Sequence, residues 1–225
     1  MLRELVTIFR SDKPLKSMGD NFAKMLSIAE QMTLAAGEIY FASDSKPEDR
    51  TAVYERDIKV NKLERMIRKQ VVAHLSIGGH KVDLPYCLFL MSLVKDVERI
   101  GDYAKNLAEV KDFYPGALPD DEISKELKEI QHGVESAFER AGDIFANSDR
   151  EAAIDLIQQA RRIALRCDAL VVKVARSEYD SGTTTAAVLG TRFYKRIGAH
   201  VLNILSSVVM PLHKLDYYDE DAVVE

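Results

Sequence analysis

The chain has 225 residues, 47% of them hydrophobic and 30% charged, ordinary values for a soluble globular protein and enough length for one large domain or two small ones. Thirty-one basic against thirty-six acidic residues leave a net charge of −5, which speaks against a general nucleic-acid binder. Six Pro and eleven Gly are few, which argues against disorder and loop-rich β architecture, and Cys87 and Cys167 match no metal or redox spacing, as expected in a reducing cytosol.

The opening MLRELVTIFRSDKP lacks a long apolar core and a small-residue cleavage site, so it does not read as a secretory signal; Leu2 to Phe9 forms a short amphipathic segment. Beyond it, apolar residues recur every three or four positions. The spacing predicts six long helices, over 17–43, 48–76, 84–112, 121–147, 150–179 and 184–213. In the third, Leu90, Leu93, Val97, Ile100, Ala104 and Leu107 form one apolar seam. Pro14, Pro47, Pro85, Pro115, Pro119 and Pro211 fall where helices start or stop. No window alternates as a strand would. The uncharged runs 84–94 and 197–213, of eleven and seventeen residues, fall short of the roughly 20 mostly apolar residues a membrane span needs. The acidic tail after Leu215 is expected to fray, and the cytoplasm is the expected compartment.

The six helices fall into two sets of three. Ala36-Gly37-Glu38-Ile39-Tyr40-Phe41-Ala42-Ser43-Asp44 resembles Ala141-Gly142-Asp143-Ile144-Phe145-Ala146-Asn147-Ser148-Asp149 at an offset of 105. Arg99-Ile100-Gly101 matches Arg196-Ile197-Gly198, and Asn106 matches Asn203, at an offset of 97. Each match pairs like helix with like helix. The expected fold is therefore all-α, two tandem three-helix bundles from an internal duplication: residues 1–113, a linker at 114–120, and residues 121–225.

Two polar rows could carry chemistry. Glu98 and Asp102 in the third helix are four residues apart, so their carboxylates share a face, where like charges cost a few tenths of a kcal/mol. Water, a basic partner or a cation would each compensate them, and so would the neighbouring Lys95, Arg99 and Lys105. Asp57, Asn61 and Glu64 form a second row, opposite Val60, Leu63, Ile67 and Val71. If the two helices pack antiparallel, the rows could converge into a site of oxygen ligands suited to a hard or borderline cation; otherwise they are solvated faces. Gly101 and Gly198 are expected to mark close approach of a neighbouring helix, since glycine within a helix costs about 1 kcal/mol relative to alanine.

Glu98-Arg99-Ile100-Gly101-Asp102-Tyr103-Ala104-Lys105-Asn106 resembles the hallmark segment of the PhoU family of phosphate-uptake regulators, and Asp57-Ile58-Lys59-Val60-Asn61-Lys62-Leu63-Glu64 resembles that family's other acidic helix. The resemblance implies two tandem three-helix bundles and a cytoplasmic, non-enzymatic adaptor. Such an adaptor damps high-affinity phosphate import and represses the phosphate-starvation response. Its implied partners are a phosphate transporter component and a sensor histidine kinase, or alternatively a sodium–phosphate cotransporter; a homodimer is also implied. The family often binds metal through its acidic pattern, which would make Asp57, Asn61, Glu64, Glu98 and Asp102 metal ligands. Fe, Mn, Mg and Zn are not distinguished, and no organic cofactor is implied.

The second repeat departs from this pattern. Lys195 and Ala199 stand where Glu98 and Asp102 stand in the first. An offset of 103, which keeps Val60 on Ile163, Ile67 on Leu170 and Val71 on Val174, puts Ala160, Ala164 and Cys167 opposite Asp57, Asn61 and Glu64. A metal is thus expected in the first repeat at most.

The alternative from another class is a metal-dependent carboxylate-bundle enzyme. It needs paired Glu-x-x-His motifs, and only Glu129 and His132 form one. Gly78-Gly79 is followed by no Walker or dinucleotide pattern, His200 reads as a buried or half-buried helix residue, and neither cysteine has a recognisable catalytic partner. No catalytic residue is expected.

Overall fold

The computed structural model describes residues 13–44, 46–77 and 81–215; the readings of Leu2 to Phe9 and of the acidic tail fall outside them. Among the described residues there is no strand. Six long helices run in order: α1 (Lys13–Phe41), α2 (Thr51–Ser76), α3 (Leu84–Glu109), α4 (Glu122–Asn147), α5 (Arg150–Ala175) and α6 (Ser181–Val209). Short 3-10 turns at Pro47–Arg50 and Lys81–Asp83 lead into α2 and α3, Val110–Asp112 follows α3, and Leu212–Lys214 lies just beyond α6.

The helix boundaries differ from the sequence expectation where caps decide them. α6 begins at Ser181 rather than Thr184, because the Asp180 carboxylate accepts from the amides of Gly182 and Thr183. These amides have no partner inside the helix. Asp121 and Asp149 cap α4 and α5 the same way, accepting from Ser124 and Ala152. α4 stops at Ser148, whose left-handed φ of 51° turns the chain out of the helix. α1 starts four residues earlier than predicted, with Pro14 in its first turn, where a missing N–H costs nothing.

α1, α2 and α3 pack against one another, as do α4, α5 and α6, and the two sets meet through α3 on α6 and α1 on α4. The core is continuous, with Phe22, Met25, Met32, Phe89 and Leu93 from the first set, and Phe138, Leu170, Tyr194 and Leu205 from the second. Phe22 and Phe145 touch across the junction with ring centroids 5.1 Å apart. Polar bonds fix its register. The Tyr40 hydroxyl donates to the Ala186 carbonyl at 2.9 Å. Asp96, 7% exposed, accepts from His200 Nδ1 and Asn203 Nδ2, each at 2.8 Å. Tyr103 stacks on the His200 ring at 5.7 Å, and Arg196 donates to the Tyr103 hydroxyl. The connection between the sets is held by Lys111, which donates to the carbonyls of Ala42 and Gly116 at 2.7 Å.

The glycines behave differently from expectation. An added methyl at Gly101 would meet Met32 at 3.5 Å, and one at Gly198 would meet Val134 at 3.6 Å, both ordinary contacts. Close approach occurs instead at Gly190, where a methyl would lie 2.2 Å from the Tyr40 hydroxyl, and at Gly37, beneath the Tyr194 hydroxyl, Gln131 and Glu135. No described helix is long and apolar enough to cross a membrane.

Candidate cation site

The pairing of α2 with α3 follows from two apolar seams. Val60, Leu63, Ile67 and Val71 are buried on α2, and Leu90, Leu93, Val97, Ile100 and Ala104 on α3. With those seams facing inward, the polar residues beside them lie along the line where the two helices meet. Lys105 of α3 shows that the rows face each other: its ammonium lies 3.5 Å from Asp57 on α2 and 3.4 Å from Asp102 on its own helix. Asn61 donates to Asp57 at 3.3 Å. At the other end the Glu64 carboxylate bears on Glu98 and helps raise its pKa. All five sequence-singled residues therefore belong to one seam between α2 and α3.

Its electrostatics are nearly balanced by the chain's own cations. Arg99 bonds Asp102 at 3.2 Å and lies 3.6 Å from Glu98, and Arg68 pairs with Glu64 at 2.7 Å. Burial, then the Asp102 and Glu64 carboxylates, hold the Glu98 carboxyl above its ordinary range, against the opposing pull of Arg99 and Lys95. Partial burial works against the Lys105 charge, but Asp57 and Asp102 outweigh it and raise its pKa.

The donor set suits a hard cation in kind: four carboxylates and one amide oxygen, all on rigid helices. In this conformation the cation between the rows is the Lys105 ammonium. Among the described residues no three His, Cys, Asp or Glu side chains gather as a metal-binding group. Lys105 was read from the sequence only as a neighbouring counter-charge; its bridging role depends on α2, whose partner carboxylate lies 48 positions away.

The corresponding seam of the second repeat is an open, largely apolar cleft of about 640 Å³, lined among others by Ala160, Ala164, Lys195, Gly198, Ala199 and Leu202. Ala160, Ala164, Lys195 and Ala199 thus share one surface, as the offsets of 103 and 97 require. Cys167 is buried beside it, and burial pushes its thiol up to about 11. One oxygen-bearing group was missed: Asp168, next to Cys167, lines the cleft and takes both carboxylate oxygens to Lys195 Nζ at 2.6 Å, with Arg192 at 3.5 Å. A carboxylate is present there, and it is fully engaged by cations.

The remaining candidates have structural partners. Glu129 of the single Glu-x-x-His pairs with Arg166 of α5 at 2.6 Å, while His132 is exposed. His200 is half-buried against Asp96. Cys87 is buried, its thiol pushed up to about 11 first by burial.

Comparison with known proteins bears on this geometry directly. Residues 22–110, which run from within α1 to just past α3 and include all five residues of the seam, match the family described as PhoU domain. The chain is 23% identical over 206 residues to a phosphate-specific transport system accessory protein PhoU homolog of Xylella fastidiosa, covering 90% of this chain and 85% of that one. It is 32% identical over 89 residues to the Thermotoga maritima PhoU homolog 1, covering 40% of this chain and only 34% of the relative. A Synechocystis homolog is 25% identical over 131 residues, 56% of this chain and 58% of the relative. The crystal structure of PhoU from Pseudomonas aeruginosa superposes with a TM-score of 0.78 at 21% identity, over 87% of this chain and 95% of that one. The phosphate transport system regulatory protein PhoU from Streptococcus pneumoniae gives 0.74 at 16% identity, over 89% and 94%. The resemblance carried by the α3 segment therefore extends to PhoU proteins in sequence and to the PhoU fold over nearly the whole chain.

Proposed function

We propose that this chain, with a PhoU domain over residues 22–110, is an accessory protein of phosphate transport. It acts as a negative regulator by binding a phosphate transporter component and a sensor histidine kinase in the cytoplasm, and it performs no covalent chemistry. The observation that carries this reading is the seam between α2 and α3. The segment resembling the PhoU hallmark lies against the second acidic row, linked to it through Lys105 and Asp57. The relatives' description as phosphate-specific transport system accessory proteins supplies the transport context.

In this reading the seam is a cation site in which Asp57, Asn61, Glu64, Glu98 and Asp102 are the candidate ligands. A bound divalent or trivalent ion would supply positive charge that ties α2 to α3. Lys105 competes for the same carboxylates, so the chain carries an internal cation able to close the seam by itself. The second repeat, with Lys195 already clamped to Asp168, holds none.

The test is affinity purification of the tagged chain from phosphate-replete cells after mild crosslinking. Co-purification of phosphate-transport subunits, absent from a control carrying an unrelated helical protein, is the expected result. Their absence from the crosslinked sample would contradict the reading.

A further inference from the structure

The face of α2 turned away from the bundle has a composition the PhoU resemblance does not explain. Among the described residues α2 packs chiefly on α1 and α3, burying Val53, Val60, Leu63, Ile67, Val71 and His74. At 100° per residue the opposite arc carries Ile58, Lys62, Arg65, Met66, Lys69 and Val72, with Lys59 at its flank, and the exposed Ile77 follows the end of the helix. All four cations are exposed. The apolar members are unusually so, with Ile58 at 52%, Val72 at 60% and Ile77 at 65% exposure. Among the described residues none of Lys59, Lys62, Arg65 and Lys69 forms an ion pair: Arg68 takes Glu64, and Asp57 faces Lys105. Glu55 is the one carboxylate on the arc. In a chain of net charge −5 this is a concentrated positive strip.

We infer that this outer face of α2 is a docking surface for an anionic lipid bilayer, with the cations at the headgroups and the aliphatic side chains inserted between them. Charge complementarity sets the sign of the partner, and the interleaving sets its kind. A single helix on the outside of a bundle is convex and offers no groove to grip an acidic protein. A fluid lipid surface needs no matching shape and accepts aliphatic and cationic groups side by side. The apolar exposure continues beyond Ile77 at the same end of the bundle, at Val82, Leu84 and Leu88, which would enter the interface together. The association is peripheral, since no described helix can span a membrane. It stands independently of the phosphate-transport reading, because it uses none of the seam residues.

The experiment is co-sedimentation of the purified full chain with large unilamellar vesicles of phosphatidylcholine mixed with phosphatidylglycerol, against vesicles of phosphatidylcholine alone. The chain is expected to sediment with the anionic vesicles only, and less as salt is raised. Neutralising the strip in Lys59→Gln/Lys62→Gln/Arg65→Gln/Lys69→Gln lowers the partition coefficient by roughly a hundredfold or more. Ile58→Ser/Val72→Ser/Ile77→Ser lowers it by about tenfold or more. Lys125→Gln/Lys128→Gln, exposed on α4, leaves it unchanged. Circular dichroism of each variant confirms the helical fold. Failure to sediment with anionic vesicles, equal sedimentation with both lipids, or wild-type partition by the neutralised strip each overturns the inference. So does a strip that selects an acidic protein while ignoring lipid.

Discussion

Glu98 is where the opposing effects in the seam can be separated residue by residue. Its carboxyl is held above the ordinary carboxylate range, first by burial and then by Asp102. The native chain therefore keeps this proton to a higher pH than the unfolded chain does. Between the two pKa values the unfolded state binds fewer protons, so this group's contribution to stability falls as pH rises through that window. Removing the charge should help at neutral pH. Glu98→Gln is expected to be about 0.5 kcal/mol more stable than wild type at pH 7 in urea unfolding, the gain fading once the pH falls below the ordinary carboxylate range. A clear loss at pH 7 would mean that the contact with Arg99 outweighs the crowding. The i, i+4 spacing of Glu98 and Asp102 and the second row on α2 were legible in sequence because they are local. Lys105 as the bridge was not, nor was Asp168 as the partner of Lys195, since each depends on a neighbouring helix at least 27 positions away.

At the scale of one helix, period and proline placement were enough to find all six elements in order, because each helix buries a continuous apolar seam. Their ends were misplaced by up to four residues. Side-chain oxygens of Asp121, Asp149 and Asp180 choose among several adequate starting points, and spacing alone does not weigh those bonds. Glycine was read less well. Glycine inside a helix implies a compensating reason, but sequence cannot say which glycine is crowded. Gly101→Ala is expected to raise stability by about 0.5–1 kcal/mol, since the methyl enters ordinary contact with Met32 and the backbone of α3 becomes less free when unfolded. Gly190→Ala is expected to cost about 1–3 kcal/mol, because its methyl must displace the Tyr40 ring or the bond from Tyr40 to Ala186. Thermal melts of the two variants should bracket wild type. The same direction of change in both would contradict the close contact of Tyr40 with Gly190 on α6.

Across the whole molecule, the two repeats form one body through a junction, α3 on α6 and α1 on α4, that no local pattern in the sequence announces. Asp96 carries no signal of its own in the sequence, and His200 reads there as a buried or half-buried helix residue. Their partnership spans 104 positions and forms only when the duplicated units pack through α3 and α6. Asp96→Ala strands the His200 and Asn203 donors at that junction and is expected to cost about 2–3 kcal/mol in urea unfolding. A change within experimental error would show that water replaces the carboxylate there without loss. The duplication explains both the likeness of the halves and their divergence. Each repeat keeps the apolar seams that fold it, while the α5–α6 seam carries small side chains and a Lys195–Asp168 clamp where the α2–α3 seam carries its polar rows.

That asymmetry predicts where a cation acts on stability. A ligand bound only by the native state raises the melting temperature, so the decisive measurement is the melt of the metal-stripped chain with and without added Mn²⁺ or Fe²⁺. The proposed site predicts a rise for wild type, a larger rise for Lys105→Ala, and none for Glu98→Ala/Asp102→Ala. A rise of wild-type size in the double variant, or no rise in any of the three, would contradict a cation site between α2 and α3.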